Sequence, residues 1–231
     1  VAHSFPTRRS SDLQIVDIES ENDYIEYIPG IIHDHEHEGE ETLDDASLGL
    51  DPHFWVSPIR MLDVLDLIYD YLIIHFPNIE DTLETNYTNV KTDLEELHIE
   101  YLEVISSLTK PALTSTNLYG YLHEDYGFEY IPISPGYHEE PDNMLPDEAE
   151  HIIEEIALHG ITKIIYEKAK TSPASDNIYE EMVLLDINPE KLEFNILQAL
   201  PDDEISLGKD YISEMMANLE AIEAAGRSSN E

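Results

Sequence analysis

The chain has 231 residues, 42% of them apolar, and its 51 acidic and 11 basic side chains give a formal net charge of −40. The apolar fraction suffices for a packed core, which argues against wholesale disorder, while the charge disfavours binding to nucleic acids and anionic membranes and attracts cations. Because the chain has no cysteine, disulfides are excluded, and a transition-metal site must use His, Asp or Glu, which favours zinc or manganese.

Residues 1–13 differ from the rest in composition. They place Arg8 and Arg9 side by side, and they read like one frame of a common short-read sequencing adapter. We therefore expect an artefact here, with a natural basic tail as the alternative. On the first interpretation the natural sequence begins near Gln14, and a targeting segment and upstream parts of the fold are missing.

Residues 14–76 begin with a short strand-like run and continue into a loop over 33–50. In this loop His33, His35 and His37 alternate with acidic residues. Imidazoles in such a tract bind divalent metals weakly, because an unstructured loop does not preorganise its ligands. A plain solvated loop is the alternative, just as salt adaptation or solubility alone would explain the overall acidity.

Two helices are predicted next. Ser57-Pro58 is typical of a helix start, and Pro77 ends the stretch that follows. Aspartates interrupt this stretch between Met61 and Phe76, so it is not a membrane span. Apolar residues then recur every three or four positions, which predicts a helix from Glu80 to Leu108, about 43 Å long. Such a helix could join two lobes within 77–110, or pair with a coiled-coil partner.

Residues 111–231 alternate between strand and helix patterns, which predicts a parallel sheet flanked by helices. The predicted strands are Ala112–Ser115, Tyr130–Ser134, Lys163–Tyr166 and Leu192–Leu197. The predicted helices are Asn117–Tyr126, Asp147–His159, Ala174–Val183 and Leu207–Ala225.

His53 lies in the run Asp51-Pro52-His53-Phe54-Trp55, directly after the His-rich loop. A lone histidine before a helix is more often structural than metal-binding. The context changes this expectation, because an acidic, His-rich loop followed by Asp-Pro-His-x-Trp-x-x-Pro resembles the zinc- and manganese-binding proteins of bacterial ABC importers. In that family the corresponding histidine is a metal ligand.

The resemblance continues in order from about residue 14 to residue 225. It is carried by Tyr87 with Asn89, Thr114 to Leu122 with Tyr126-Gly127, Gly136 with Glu140-Pro141, Ile164 to Glu167, Phe194 to Leu200, Asp210-Tyr211 with Met215, and Asn218-Leu219. It implies an α/β fold of two lobes joined by the long helix. The C-terminal lobe would be complete and the N-terminal lobe mostly missing.

The resemblance also implies where the metal ligands should be. The first comes from upstream of Gln14, the second is His53, the third falls on Thr116, and the fourth falls on Asn195 or Gln198. The third and fourth positions thus carry neutral hydroxyl or amide groups, which are poor substitutes for imidazole or carboxylate. We therefore expect a degraded site, for which His138, or Glu139 or Glu140 beside it, could compensate.

The implied function is the capture of zinc, or alternatively manganese, outside the cytoplasm for delivery to an ABC permease. The protein would be a monomer, either in the periplasm or lipid-anchored at the cell surface. A degenerate paralogue that acts as a surface binding or adhesion module is the second interpretation. A metal-dependent hydrolase is disfavoured, because the sequence contains no His-Glu-x-x-His or nucleophile motif.

Overall fold

The computed structural model describes residues 51–136 and 145–228. The elements follow in the order α1 Pro58–His75, α2 Glu80–Ser106, β1 Ala112–Thr114, α3 Gly120–Tyr126, β2 Tyr130–Pro132, α4 Pro146–His159, β3 Lys163–Glu167, α5 Pro173–Leu184, β4 Glu190–Phe194, α6 Asp202–Ser206 and α7 Tyr211–Gly226. Short 3₁₀ turns at Phe54–Val56 and Pro77–Ile79 precede α1 and α2. The predicted alternation of strands and helices after residue 111 is confirmed.

The four strands form one parallel sheet in the order β2-β1-β3-β4. Neighbouring residues of β1, β2 and β3 pack on opposite faces of the sheet. Ala112 and Ile165 join a core with α2, α3 and α7, whereas Leu113 and Ile164 join a core with α4 and α5. Helices therefore cover both faces, as a parallel sheet requires. All four strands end at one edge, which is where open α/β sheets usually bind their ligands.

Helix α2 has 27 residues, so it is about 40 Å long. Its periodic apolar side chains are used within the chain: Leu94, Leu97 and Tyr101 are buried, and the Tyr101 hydroxyl donates a hydrogen bond to the Met215 carbonyl of α7. At the other end, the Tyr87 ring stacks on Tyr69 of α1. The periodic side chains of α2 thus pack against α1 and α7 of the same chain, and a coiled-coil partner is not needed to explain their spacing.

The predicted C-terminal ends of α2, β2 and β4 were wrong by two or three residues, and β2 ends at Pro132 and not at Ser134. Helix α2 ends at Ser106, and the amides of Thr109 and Lys110 then bond to the Gly226 carbonyl at the end of α7. Strand β4 ends at Phe194 and not at Leu197, because the Asn218 side chain of α7 binds the backbone amide and carbonyl of Asn195 in place of a neighbouring strand.

The last predicted helix, Leu207–Ala225, starts too early, because α7 begins at Tyr211, and the short helix α6 before it was not predicted. Gly208, with φ +86°, separates α6 from α7, and the Asp210 side chain then caps α7 by accepting a bond from the Ser213 amide. Within residues 51–136 and 145–228, no helix is both long and apolar enough to cross a bilayer.

Candidate metal centre

The residues that follow the four strands gather at the carboxyl edge of the sheet. Ser115 links β1 to β3 there, because its amide donates to the Ile165 carbonyl and its hydroxyl accepts from the Glu167 amide. Its own carbonyl accepts from the Ser134 amide after β2. This places the predicted ligand position Thr116 beside the ends of β1 and β2.

His53 is almost fully buried, with 1% of its surface exposed. Its ring Nδ1 and its backbone amide lie 2.8 and 2.9 Å from the same carboxylate oxygen, Oδ1 of Asp51. A carboxylate only accepts hydrogen bonds, so Nδ1 carries the proton and a metal would be bound through Nε2. This pairing of a carboxylate with an imidazole is the usual way in which proteins orient a metal-binding histidine.

The 3₁₀ turn after His53 is tied to the carboxyl edge through Trp55. The indole Nε1 donates to the Ile196 carbonyl at 2.7 Å, and the Trp55 carbonyl accepts from the Tyr211 hydroxyl at 2.8 Å. Ile196 comes two residues after β4, and Tyr211 begins α7. These two bonds place His53 at the carboxyl edge of the sheet, where Thr116 and Asn195 also lie.

Thr116 is 4% exposed, and its Oγ1 is buried with no hydrogen-bond partner in the described part of the chain. The same holds for Ser134 Oγ and for the second carboxylate oxygen of Asp51. Burying a polar atom without a partner lowers the free energy of unfolding by about 1–3 kcal/mol, so such atoms usually bind water, an ion or another ligand. Thr116 Oγ1 and Ser134 Oγ, which follow β1 and β2, are therefore unpartnered oxygens at this edge.

Asn195 has a structural role in this arrangement. Its Nδ2 donates to Glu214 Oε2 at 2.7 Å and its Oδ1 accepts from the Leu197 amide at 3.0 Å. Asn218 bonds to both backbone groups of Asn195. Because both ends of the amide are engaged, only the second lone pair of Oδ1 is left for a metal. Gln198 is exposed beyond it.

Glu214, which is 4% exposed, is a buried anion that connects Asn195 after β4 with two lysines. Burial by itself raises the pKa of its carboxyl group, but hydrogen bonds from Lys209, Asn195 and Lys168 outweigh burial and lower the pKa to about 2. The two lysine Nζ atoms lie 2.8 and 3.0 Å from its oxygens. The carboxylate is thus held by two cations and is not available as a metal ligand.

The described residues do not supply a complete coordination shell. Over 51–136 and 145–228, no three His, Cys, Asp or Glu side chains lie close enough together to hold a metal ion. His33, His35, His37 and His138 lie outside the described residues. The donors that remain are the oriented imidazole of His53, the second carboxylate oxygen of Asp51 and the neutral hydroxyls of Thr116 and Ser134, which are fewer nitrogen and carboxylate ligands than a zinc site usually has.

Sequence reasoning missed three residues of this region. Asp51 was noted only as part of a motif, although a carboxylate two positions before a histidine suggests the orienting contact. Glu214 lies in the predicted helix Leu207–Ala225, between residues that carried the resemblance, and its contacts join segments far apart in the chain. Ser134 had no signal in the sequence, because an unpartnered hydroxyl is recognisable only in the fold.

The chain matches one protein family over almost its whole length. The profile of ZnuA, described as "Zinc-uptake complex component A periplasmic", matches residues 6–225. This match begins inside the 1–13 segment, whose origin remains a prediction. Among curated proteins, the zinc-binding lipoprotein AdcA of Streptococcus pneumoniae is 29% identical over 191 residues, which cover 82% of this chain and 36% of that protein. The chain spans little more than a third of the length of such relatives.

Solved structures share the fold. The Zn(II)-bound ZnuA-like domain of S. pneumoniae AdcA aligns with a TM-score of 0.62 and 23% identity, covering 83% of this chain and 68% of that one. The laminin-binding protein Lbp of Streptococcus pyogenes aligns with a TM-score of 0.60 and 20% identity, covering 77% and 65%. The parallel sheet, the long helix and the family match agree, and the chain therefore belongs to the ZnuA family of zinc-uptake solute-binding proteins.

Proposed function

We propose that the chain captures zinc outside the cytoplasm and delivers it to an ABC permease, with manganese as the alternative cargo. The observation that carries the proposal is the buried imidazole of His53, oriented by Asp51 at the ligand-binding edge of a parallel sheet. Membership of the ZnuA family and the names of its zinc-binding relatives support the choice of metal. The periplasmic and lipoprotein relatives support the location.

The mechanism is ligand exchange without a chemical reaction, so we infer no catalytic activity. His53 would bind the ion through Nε2, and the tract His33, His35 and His37 would raise the local metal concentration. The strongly negative surface, with its net charge of −40, favours cation approach. We expect the protein to act as a monomer and to transfer the ion when it meets the permease.

Metal affinity should be lower than a site with four imidazole or carboxylate ligands would give. Thr116 supplies a neutral hydroxyl, and the amide of Asn195 is already engaged by Glu214 and Leu197. Each neutral group lowers the ligand charge that holds a divalent ion.

Isothermal titration of the whole chain with ZnCl₂ tests the proposal. We expect one site of micromolar or tighter affinity that is lost in His53→Ala. The matched control is His159→Ala, since His159 lies on α4 and pairs with Glu155 at 3.2 Å, away from the carboxyl edge. Millimolar binding by the unmodified chain, or equal losses in the two variants, would contradict the proposed function.

A second candidate function is a surface binding or adhesion module that keeps the fold without tight metal binding. Neutral groups at Thr116, Asn195 and Gln198 favour it, and the laminin-binding protein with the same fold shows one form that such a module takes. Zinc titration of Thr116→His separates the two functions. A large gain in zinc affinity indicates that the present site lacks an effective ligand at position 116. Saturable binding of immobilised laminin by the unmodified chain would then support adhesion.

A further inference from the structure

The orientation of the His53 ring depends on where Asp51 is held. Asp51 Oδ1 accepts bonds from both the amide and the ring Nδ1 of His53, at 2.9 and 2.8 Å. The two residues therefore form a small closed unit in which the ring follows the Asp51 side chain. A shift or rotation of Asp51 would carry the imidazole with it.

The backbone of this unit is fixed from helix α3. The Tyr121 hydroxyl donates a hydrogen bond to the Asp51 carbonyl at 2.8 Å, across 70 positions of the chain. Tyr121 is fully buried and Asp51 is 1% exposed. A buried bond of this kind is shielded from competition by water, so it fixes the carbonyl direction strongly.

Tyr121 is itself held in place by an ion pair. The Arg60 guanidinium lies 5.5 Å from the centre of the Tyr121 ring. Arg60 binds both carboxylate oxygens of Asp125 at 2.7 and 2.9 Å, and Asp125 also accepts from the Ser57 hydroxyl at 2.7 Å. Such two-pronged arginine contacts have a fixed planar geometry. The start of α1 and the end of α3 are thereby locked around the Tyr121 ring.

We infer that Tyr121 is a positioning residue for metal capture, because its hydroxyl fixes Asp51 and, through Asp51, aims the His53 imidazole. The inference rests on the proposed function of His53 as a metal ligand. Tyr121 does not itself bind the ion. Loss of its hydroxyl should therefore lower metal affinity while leaving the ligands and the fold in place.

The test compares Tyr121→Phe with Tyr101→Phe in the whole chain. Tyr101 is a closely matched control, because its hydroxyl is also buried and also donates to a backbone carbonyl, that of Met215, at 2.8 Å. Its hydrogen bond, however, joins α2 to α7 and does not involve Asp51. Each variant loses one hydroxyl and one hydrogen bond of the same type. A purely structural contribution should lower the two melting temperatures by similar amounts.

Two readouts are needed. The first is zinc affinity by titration, which should fall about 10-fold or more in Tyr121→Phe, as for other groups that orient a metal-binding histidine, and stay within about 2-fold in Tyr101→Phe. The second is the ¹⁵N spectrum of the histidine rings without metal. There, the unmodified chain should show His53 as a single tautomer protonated at Nδ1, and Tyr121→Phe should shift or broaden this signal.

The outcomes separate the inference from the function on which it rests. If the unmodified chain does not bind zinc, the proposed function fails, and the ring spectrum alone decides whether Tyr121 orients His53. If the chain binds zinc through His53 but Tyr121→Phe changes neither the affinity nor the ring signal more than Tyr101→Phe does, the positioning role is wrong.

Discussion

The imidazole of His53 meets the indole of Trp55 nearly edge to face, with ring centres 5.4 Å apart and an angle of 63° between the planes. Trp55 is the only tryptophan among the 231 residues. Its fluorescence therefore reports on a single location, immediately beside the proposed metal ligand.

We expect zinc to change the emission of Trp55 with the same midpoint as calorimetric binding. Co²⁺, which absorbs and quenches, should reduce the emission more strongly than zinc. The measurement is a fluorescence titration with each metal. His53→Ala should abolish both responses, and a full response in that variant would show that the ion binds elsewhere.

The second prediction concerns acid stability. The folded-state pKa of Glu214 is lowered to about 2, because hydrogen bonds from Lys209, Asn195 and Lys168 outweigh the effect of burial. A lowered pKa stabilises the fold fully above the ordinary value of 4.5, and this contribution is lost as the pH falls from 4.5 toward 2. Glu214→Gln should lower the free energy of unfolding by about 3 kcal/mol at pH 7, and the difference should shrink between pH 5 and pH 3.

Urea unfolding at several pH values measures this difference. Glu181→Gln on the exposed side of α5 is the control, and its difference from the unmodified chain should stay small throughout. A Glu214→Gln effect that does not change with pH would show that the loss comes from packing and not from the charge.

The third prediction concerns the ion pair between α1 and α3. Arg60 and Asp125 have side chains that are 16% and 10% exposed. Arg60→Lys keeps the charge but loses the two-pronged contact, so it should lower the free energy of unfolding by about 2 kcal/mol. The exposed pair Arg227–Glu223 offers a control, and Arg227→Lys should cost less than about 0.5 kcal/mol. Equal effects in denaturant unfolding would contradict a special role for Arg60.

The fourth prediction concerns His98 on α2, whose Nδ1 lies 3.0 Å from the Tyr126 hydroxyl. Burial lowers the pKa of His98 below its ordinary 6.5, and the nearby Asp125 only partly opposes this. A histidine with a lowered pKa stabilises the fold above 6.5, and this contribution is lost as the pH falls through the folded value. His98→Gln cannot titrate, so its free energy of unfolding should fall less between pH 7 and pH 5 than that of the unmodified chain.

Thermal unfolding across this range is the measurement. His75→Gln on the exposed end of α1 should follow the unmodified chain. If His98→Gln has the same pH dependence as the unmodified chain, the titrating group lies elsewhere.

Much of the fold could be predicted from the sequence because its elements have strong local signals. The spacing of Leu94, Leu97 and Tyr101 predicts one helical face, and Gly160 ends α4 in the left-handed conformation that glycine favours. The ends of α2 and β4 could not be predicted. They depend on the Gly226 carbonyl, which accepts bonds from the residues after α2, and on the Asn218 side chain, which binds the residue after β4. These partners lie more than a hundred and about twenty residues away in the chain.

The candidate site could likewise be predicted only in part. His53 and Thr116 were found through resemblance, and the structure places them at the same edge of the sheet. The sequence does not show that Asn195 is engaged by Glu214, because that contact needs the turn after β4 and the first turns of α7 to be in place. The roles of these residues in metal binding remain predictions.

The bonds around residues 51–55 have a mechanical consequence. Asp51 is fastened to α3 through Tyr121, and Trp55 to the loop after β4 and to the start of α7. The imidazole between them consequently travels with the sheet as one rigid unit. Release of a captured ion would therefore have to occur without moving His53 relative to the sheet.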